Sequence, residues 1–343
     1  MRAVSWCCVV LLAGLLVPGL AGCTSGSSSG PRHDGGLFRT AGGVIGGWNL
    51  TTPEQVRAAA ADGINTDFSY GAPPTPDSTI GKALTSAHMH VVSAQPANLV
   101  SAYECARTHS VAPPPSGASP LCANDSGTSV DQVLDGVRGI AAHDADNPLV
   151  IGYWVLDDTA GWDSGGLRDV LRRVRAALPA NRPTVCGFSA HLTANGGTDW
   201  DRRRAKNFSA DGCDVVAPYV YAAPQRPGSR SATTVDWSMR SALDAITSSL
   251  RDNGWAPSRQ PMLGIAQAFS GAHASNATVE PAPTLAQMAD QGEAYCAAGA
   301  TAIAWYAWQL SDIADARTPS TDDTMRTGVH SALERCRQIW RSN

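Results

Sequence analysis

The chain has 343 residues, a formal net charge of −4 and 43% hydrophobic residues. This length can supply a large core, and the mild acidity argues against nucleic acid as a partner. We therefore expect a globular protein that does not bind nucleic acid.

The N-terminal segment has the features of an export signal. Arg2 precedes the apolar run 9–17, which is too short to span a membrane stably. The sequence Leu20-Ala-Gly-Cys23 then resembles the bacterial lipobox, in which cleavage before the cysteine leaves that residue to be acylated. The resemblance implies a signal peptide over residues 1–22 and palmitate-type acylation of Cys23. It also implies an exported lipoprotein that is held in the lipid bilayer on the outer face of the bacterial cell membrane.

A Ser- and Gly-rich stretch follows Cys23, and residues 23–37 are typical of a flexible tether. Strand-like runs then alternate with helical patterns to the end of the chain. The eight predicted strands cover residues 44–49, 64–70, 90–95, 149–156, 184–189, 214–221, 261–267 and 302–308. Because no dinucleotide-binding glycine fingerprint is present, the rhythm favours a closed α/β barrel, the (β/α)8 or TIM barrel, over a doubly wound sheet. We expect residues 38–343 to form this single domain, as a monomer.

Three capping boxes mark predicted helix starts. They pair a Thr or Ser with a Gln three residues later, at Thr52, Ser129 and Thr284. The proline-containing segment 96–128 is predicted to be a long excursion that shapes the cleft.

Nine cysteines are present, and an exported protein favours disulfides. Cys7 and Cys8 leave with the signal peptide, and Cys23 takes the lipid. The remaining six allow many pairings, among which the barrel favours one: Cys105–Cys122 within one loop, Cys186–Cys213 between neighbouring strands, and Cys296–Cys336 between the last two helices. No cysteine spacing indicates zinc, and we expect no metal and no cofactor.

The fourth predicted strand ends on two adjacent carboxylates. Residues 149–156 are apolar without interruption, as in a strand buried on both faces, and Asp157 and Asp158 follow directly. Active sites of α/β barrels are built at such strand ends. The alternative is that the aspartates only cap the next helix.

The other strand ends carry polar and aromatic side chains that suit a carbohydrate. Aromatic faces stack on sugar rings, and amides and hydroxyls pair with sugar hydroxyls. The candidate substrate-binding residues are Trp48, Asn49, Tyr70, Gln95, His191, Tyr219, Tyr221, Gln267, Trp305 and Trp308. Core packing is the alternative for each tryptophan.

The stretch Gly152-Tyr-Trp-Val-Leu-Asp-Asp158 resembles the end of strand four in glycoside-hydrolase barrels, where the second of two acids is the proton donor. The resemblance implies hydrolysis of a poly- or oligosaccharide, with Asp158 as general acid and Asp157 as the neighbour that tunes its charge. Breaking a glycosidic bond also requires a second carboxylate, as nucleophile or as base.

The sequence departs from this pattern at the seventh strand. Retaining barrels usually place a glutamate there, and this chain has Gln267. Asp312, just after the eighth strand, is the favoured substitute. The other candidates for a second acid are Asp67, Asp199, Asp201 and Glu280. The hypotheses that remain open are an inverting hydrolase and a non-catalytic glycan-binding or envelope-maintenance lipoprotein.

A hydrolytic metal site is the weakest alternative. It would combine Asp157, Asp158, His191 and His273, but no HxH or HExxH spacing supports it.

Overall fold

Eight parallel strands form a closed barrel in the computed structural model, which describes residues 35–109, 128–157, 166–193, 197–223, 237–273, 278–310 and 314–342. The barrel strands are β1 (Ile45–Trp48), β2 (Thr66–Ser69), β3 (His90–Ser93), β4 (Val150–Leu156), β5 (Thr184–Leu192), β6 (Val215–Ala222), β7 (Leu263–Gln267) and β10 (Ala302–Tyr306). Strands β1 to β7 follow one another around the ring, and β10 lies between β7 and β1 to close it. The predicted (β/α)8 barrel is confirmed.

The helices surround this ring. They are α1 (Pro53–Ala61), α2 (Thr79–Ser86), α3 (Gln95–His109), α4 (Val130–Asp144), α5 (Arg168–Ala177), α6 (Arg240–Asp252), α7 (Leu285–Ala297) and α8 (Asp323–Ser342), with short 3-10 helices at Gly36–Arg39 and Arg202–Asn207. Among the residues described, no helix combines the length and the apolar character needed to cross a membrane.

The three predicted capping boxes are confirmed. At Thr52, Ser129 and Thr284 the side chain accepts a hydrogen bond from the third helical backbone N–H, and the glutamine there bonds back to the cap residue. Each box satisfies two backbone donors that the helix itself cannot pair, which fixes where α1, α4 and α7 begin.

Two features differ from the sequence expectations. The segment predicted as a long excursion begins with helix α3, which accommodates Pro96 because a proline in the first turn loses no intrahelical hydrogen bond. A second, antiparallel sheet is formed by β8 (Ser270–His273), β9 (Thr278–Glu280) and β11 (Ala314–Arg317), in the order β11-β8-β9. These short strands are supplied by the connections that follow β7 and β10.

Aromatic rings fill the barrel interior. Trp48 stacks on Phe68 with 4.3 Å between ring centroids, and Trp154 meets Trp48 edge-on at 5.7 Å. Together with Tyr219 and Phe38 they belong to one buried cluster, called the interior cluster below. The space for these rings comes from missing side chains. At Gly187, for example, an added Cβ would lie 2.5 Å from Trp154 and 2.9 Å from Tyr219.

Two predicted disulfides are present. Cys186 bonds to Cys213 across β5 and the start of β6, and Cys296 bonds to Cys336 between α7 and α8. Both pairs follow from the barrel topology, since each joins elements that are neighbours in space. Cys105 is also disulfide-bonded; its expected partner, Cys122, lies outside the described residues.

Filling the space at Gly187 should destabilise the barrel. We expect Gly187→Ala to lower the free energy of unfolding by about 1–3 kcal/mol, because the added methyl overpacks the interior cluster. Gly139, within α4, has nothing within 4 Å of an added Cβ, so Gly139→Ala is the matched control and should stabilise by about 0.5–1 kcal/mol. Urea unfolding of both variants measures this, and equal effects would contradict the packing argument.

Candidate active site

A β-bulge near the end of β4 determines which side chain faces the barrel interior. Trp154 pairs with Val185, but Leu156 pairs with Cys186, so β4 advances two residues where β5 advances one. Trp154 belongs to the interior cluster, whereas Val155 and Leu156 both pack in the outer layer against the helices. Strict alternation would have placed Leu156 inside and the next residue outside. The extra residue shifts the alternation by one and turns Asp157 inward.

Two tyrosine hydroxyls hold the Asp157 carboxylate. The Tyr70 hydroxyl, just beyond β2, donates to Asp157 Oδ2 at 2.6 Å, and the Tyr219 hydroxyl of β6 donates to Oδ1 at 3.2 Å. Burial, the negative charge of Asp157 and the nearby Tyr306 raise the pKa of Tyr70 well above its usual value. Tyr70 therefore stays protonated and remains a hydrogen-bond donor.

A group of aromatic rings lies next to Tyr70 and Tyr219 at the C-terminal end of the barrel, and this end is called the mouth below. Tyr221 and Tyr306 stack with 5.9 Å between centroids and 25° between planes, and Phe269 meets each of them edge-on at 5.6 Å. Tyr221 and Tyr306 are half-buried. Ala316 of β11 packs against the same cluster, so the small sheet borders the mouth. Partly exposed aromatic rings beside a carboxylate can stack on a sugar ring while the acid meets its polar edge.

A histidine–carboxylate pair stands on the β5 side of the mouth. His191 Nδ1 lies 2.9 Å from Asp199 Oδ2, and the His191 backbone N–H donates to Asp199 Oδ1 at 2.6 Å. Burial acts to raise the pKa of Asp199, but the hydrogen bonds and charges of His191 and Arg204 outweigh it and lower that pKa. In the strand register His191 pairs with Tyr221. This brings a proton-carrying group to the rim of the same opening.

Three predicted substrate-binding residues are wrong, because the structure buries them completely. Trp305 and Trp308 are 0% exposed and pack in the outer layer between the strands and the helices. Gln267 is also 0% exposed; its Oε1 accepts from the Ala222 backbone N–H, and its Nε2 donates to the carbonyls of Phe269 and Pro281. The amide thus ties the start of the small sheet to the barrel, a structural role.

The remaining predicted residues are placed as follows. Trp48 is buried in the interior cluster beneath the mouth, with 2% of its surface exposed. Asn49, at the end of β1, is half-buried, adopts a left-handed φ of 67°, and donates from Nδ2 to the Gln309 carbonyl at 3.3 Å. Gln95 is half-buried at the first residue of α3. The catalytic candidates Asp158 and Asp312 lie outside the described residues, as does Cys23.

Two of the other candidate acids, Asp67 and Asp201, have structural partners. Asp67 is buried and accepts from the Leu50 backbone N–H at 3.1 Å, which holds the segment after β1. Asp201 caps the 3-10 helix and pairs with Arg203. Glu280, in β9, is 6% exposed. Asp157, by contrast, accepts hydrogen bonds from two tyrosine hydroxyls of the mouth.

Sequence reasoning missed Tyr306 and Phe269. Tyr306 lies between Trp305 and Trp308 in the sequence. The two tryptophans are larger and are therefore the more obvious candidates for contact with a sugar. Small residues at Ala302 and Ala304 occupy the same strand face as Tyr306, inside the barrel. That alternation of small and large residues was a usable signal, but it does not by itself tell which face is inside.

Comparisons with known proteins support the fold. No family model and no curated protein sequence matches the chain. A solved endoglucanase of Pseudomonas stutzeri superposes with a TM-score of 0.51 at 11% identity, over 84% of this chain and 93% of that chain. An endo-α-mannosidase from Bacteroides thetaiotaomicron gives 0.48 at 9% identity, over 84% of this chain and 79% of its own. An endoglucanase catalytic domain from Xanthomonas campestris gives 0.48 at 13%, over 85% and 94%. At such identities the likeness concerns the barrel and not its chemistry.

The buried Asp67 should make stability depend on pH. Burial raises the pKa of Asp67 to about 7 in the folded protein. An aspartate in the unfolded chain has a pKa of about 3.9. The folded state then binds more protons between these values, so this residue's contribution to stability falls as pH rises from about 4 to about 7. Asp67→Asn can keep the bond to Leu50 without the charge. We compare the free energy of unfolding of Asp67→Asn with that of the unmodified protein. We expect this difference to shift in favour of the variant between pH 4.5 and pH 8.

Urea unfolding at these two pH values is the measurement. The upper bound is about 4 kcal/mol, from roughly 1.4 kcal/mol for each unit of pKa difference. A difference between the two proteins that stays constant with pH would show that Asp67 does not titrate in this range.

Proposed function

We propose that this protein is a membrane-anchored, extracytoplasmic glycoside hydrolase that cleaves a poly- or oligosaccharide by acid/base hydrolysis at the mouth of the barrel. The observation that carries the proposal is the Asp157 carboxylate, fixed between the hydroxyls of Tyr70 and Tyr219. Tyr219 packs against Tyr221, which stacks on Tyr306. The barrel, which a solved endoglucanase shares, places such groups where its strands end.

The proposed roles follow the chemistry of glycosidic bond cleavage. Asp158 is the proton donor to the leaving oxygen, and Asp157 is the adjacent carboxylate. Asp312 is the candidate second acid. The exposed edges of Tyr221 and Tyr306 provide aromatic surface for a sugar ring, with Asn49, Gln95 and His191 at the rim as polar partners.

A second candidate function is a glycan-binding lipoprotein without hydrolytic activity. One observation favours it: Gln267 stands where retaining barrels of this type carry a glutamate, and its amide is committed to three structural hydrogen bonds. A protein that only binds a glycan needs the aromatic mouth but no second acid.

The anchor is part of the proposal. The lipobox-like Leu20-Ala-Gly-Cys23 supports acylation of Cys23, and the Ser- and Gly-rich residues behind it support a tether that keeps the barrel clear of the bilayer. The monomeric state is likewise proposed.

Sugar release from a panel of neutral and amino polysaccharides tests the enzymatic function. We expect release by the unmodified protein and a loss of about 100-fold or more in Asp157→Asn and in Asp158→Asn, since each removes an acid/base group of the site. Asp77→Asn, the same change at an exposed position, is the matched control and should retain full activity. Retention of a glycan on an affinity gel without any release would favour the binding function instead. Undiminished release by both site variants would refute the assigned site.

Fractionation of cells that express the full chain tests the anchor. We expect the protein in the membrane fraction and labelled by a palmitate analogue, and Cys23→Ala in the soluble exported fraction without label, because the acyl chains supply the attachment. Cys7→Ala, within the signal peptide, is the control and should leave both results unchanged. Membrane association of unlabelled Cys23→Ala would contradict lipid anchoring.

A further inference from the structure

Asp157 is held on both of its oxygens by groups from different strands. Tyr70 reaches Oδ2 from the end of β2 at 2.6 Å, and Tyr219 reaches Oδ1 from β6 at 3.2 Å. A neutral carboxylic acid must donate its own proton from one oxygen, so two donors on two oxygens suit the ionised form. The ionised form accepts both hydrogen bonds without any reorientation of the hydroxyls, so this arrangement favours the carboxylate.

Packing fixes the Tyr219 ring, which carries one of the two donors to Asp157. Tyr219 is 6% exposed, and its ring is packed between Trp154, at 6.3 Å, and Tyr221, at 5.4 Å. The bulge at Val155 and Leu156 sets the backbone direction from which Asp157 enters the mouth. Neither hydroxyl has to rearrange when charge develops nearby, which is the condition for electrostatic stabilisation by a pre-formed site.

We propose that Asp157 acts in its ionised form as a carboxylate that faces the reacting sugar, and that Tyr70 is the positioning residue that fixes its direction and favours its charge. This inference rests on the proposed glycoside hydrolase function and assigns Asp157 a direct role there in place of tuning its neighbour. A glycosidic bond breaks through a transition state with positive charge on the anomeric carbon and the ring oxygen. A fixed anion stabilises that charge, while the leaving oxygen takes its proton from the separate acid of the site. Water then adds to the anomeric carbon, and the proton that it releases restores that acid.

The other titratable groups facing this carboxylate support its charge. Tyr219 donates to it from β6, Tyr221 of β6 packs against Tyr219, and Tyr306 of β10 stacks on Tyr221. A phenol hydroxyl can donate a hydrogen bond to a carboxylate. His191, on β5, completes this set and is held by Asp199 at 2.9 Å. A carboxylate loses its charge when acid protonates it, so the acidic limb of a pH–rate profile is the part that should report on Asp157.

The test is the pH dependence of kcat/KM in Tyr70→Phe, with the panel substrate that the unmodified protein cleaves best. Removing the phenol removes a hydrogen bond to the charged form, so the carboxylate accepts a proton at higher pH. We expect kcat to fall about tenfold or more, as for the loss of a hydrogen bond to a charged group, and the acidic limb to move to higher pH. Tyr219→Phe should lower kcat and move the acidic limb in the same directions, but by less. The reason is that the hydrogen bond from Tyr219 to Asp157 is longer, at 3.2 Å, than that from Tyr70, at 2.6 Å.

Tyr153→Phe is the matched control. Its hydroxyl lies 3.2 Å from Arg182 near the other end of the barrel, so the same chemical change should leave the pH profile unmoved. Thermal unfolding of all three variants separates a loss of fold from a loss of positioning. A Tyr70→Phe variant that folds and keeps both kcat and the acidic limb would overturn the inference.

A measurement without turnover separates this inference from the proposed function. The titration of aspartate carboxyl carbons by 13C NMR, assigned with Asp157→Asn, should show Asp157 ionised to lower pH in the unmodified protein than in Tyr70→Phe. If no panel member is hydrolysed, the proposed function fails, while this shift still decides whether Tyr70 holds the charge. An identical titration in both proteins refutes the positioning role even in an active enzyme.

Discussion

One extra residue in β4 determines which side chain enters the mouth of the barrel. Because side chains alternate along a strand, the bulge that places both Val155 and Leu156 in the outer layer inverts the direction of everything after it. Asp157 then turns into the barrel and meets Tyr70 and Tyr219. Without the bulge, the interior would receive a leucine side chain at this level and the carboxylate would point toward the helices.

The interior cluster supports this arrangement from below. Trp48, Phe68 and Trp154 fill the cross-section, and glycines at 46 and 187 leave room for the rings. Large rigid aromatics lose little conformational entropy when they are packed, and dense packing resists displacement of what lies above. The tyrosines at the mouth thus pack against a dense interior cluster that limits their movement. A pre-formed site requires such fixed side chains.

Two polar side chains at the C-terminal ends of the barrel strands, Gln267 and Asp157, have different roles. The Gln267 side chain accepts from the Ala222 backbone N–H and donates to the Phe269 carbonyl, next to the small sheet. Its role is therefore structural. Asp157 receives its hydrogen bonds from hydroxyls that are themselves at the mouth. Asp157 thus joins hydrogen-bonding groups from β2, β4 and β6, whereas Gln267 joins β7 to the small sheet that borders the mouth.

Local patterns determined most of the fold. The alternation of strand-like and helical runs specified eight strands in a ring, the Ser/Thr-to-Gln spacing specified three helix starts, and the resulting neighbours specified two disulfides. What the sequence left undecided is which way the side chains at the strand ends point. Trp305 and Trp308 lie outside the ring, Tyr306 lies inside it, and the bulge selects the direction of Asp157. Periodicity is a local property of the chain, whereas the inner face of a strand is set only when the ring closes against its neighbours.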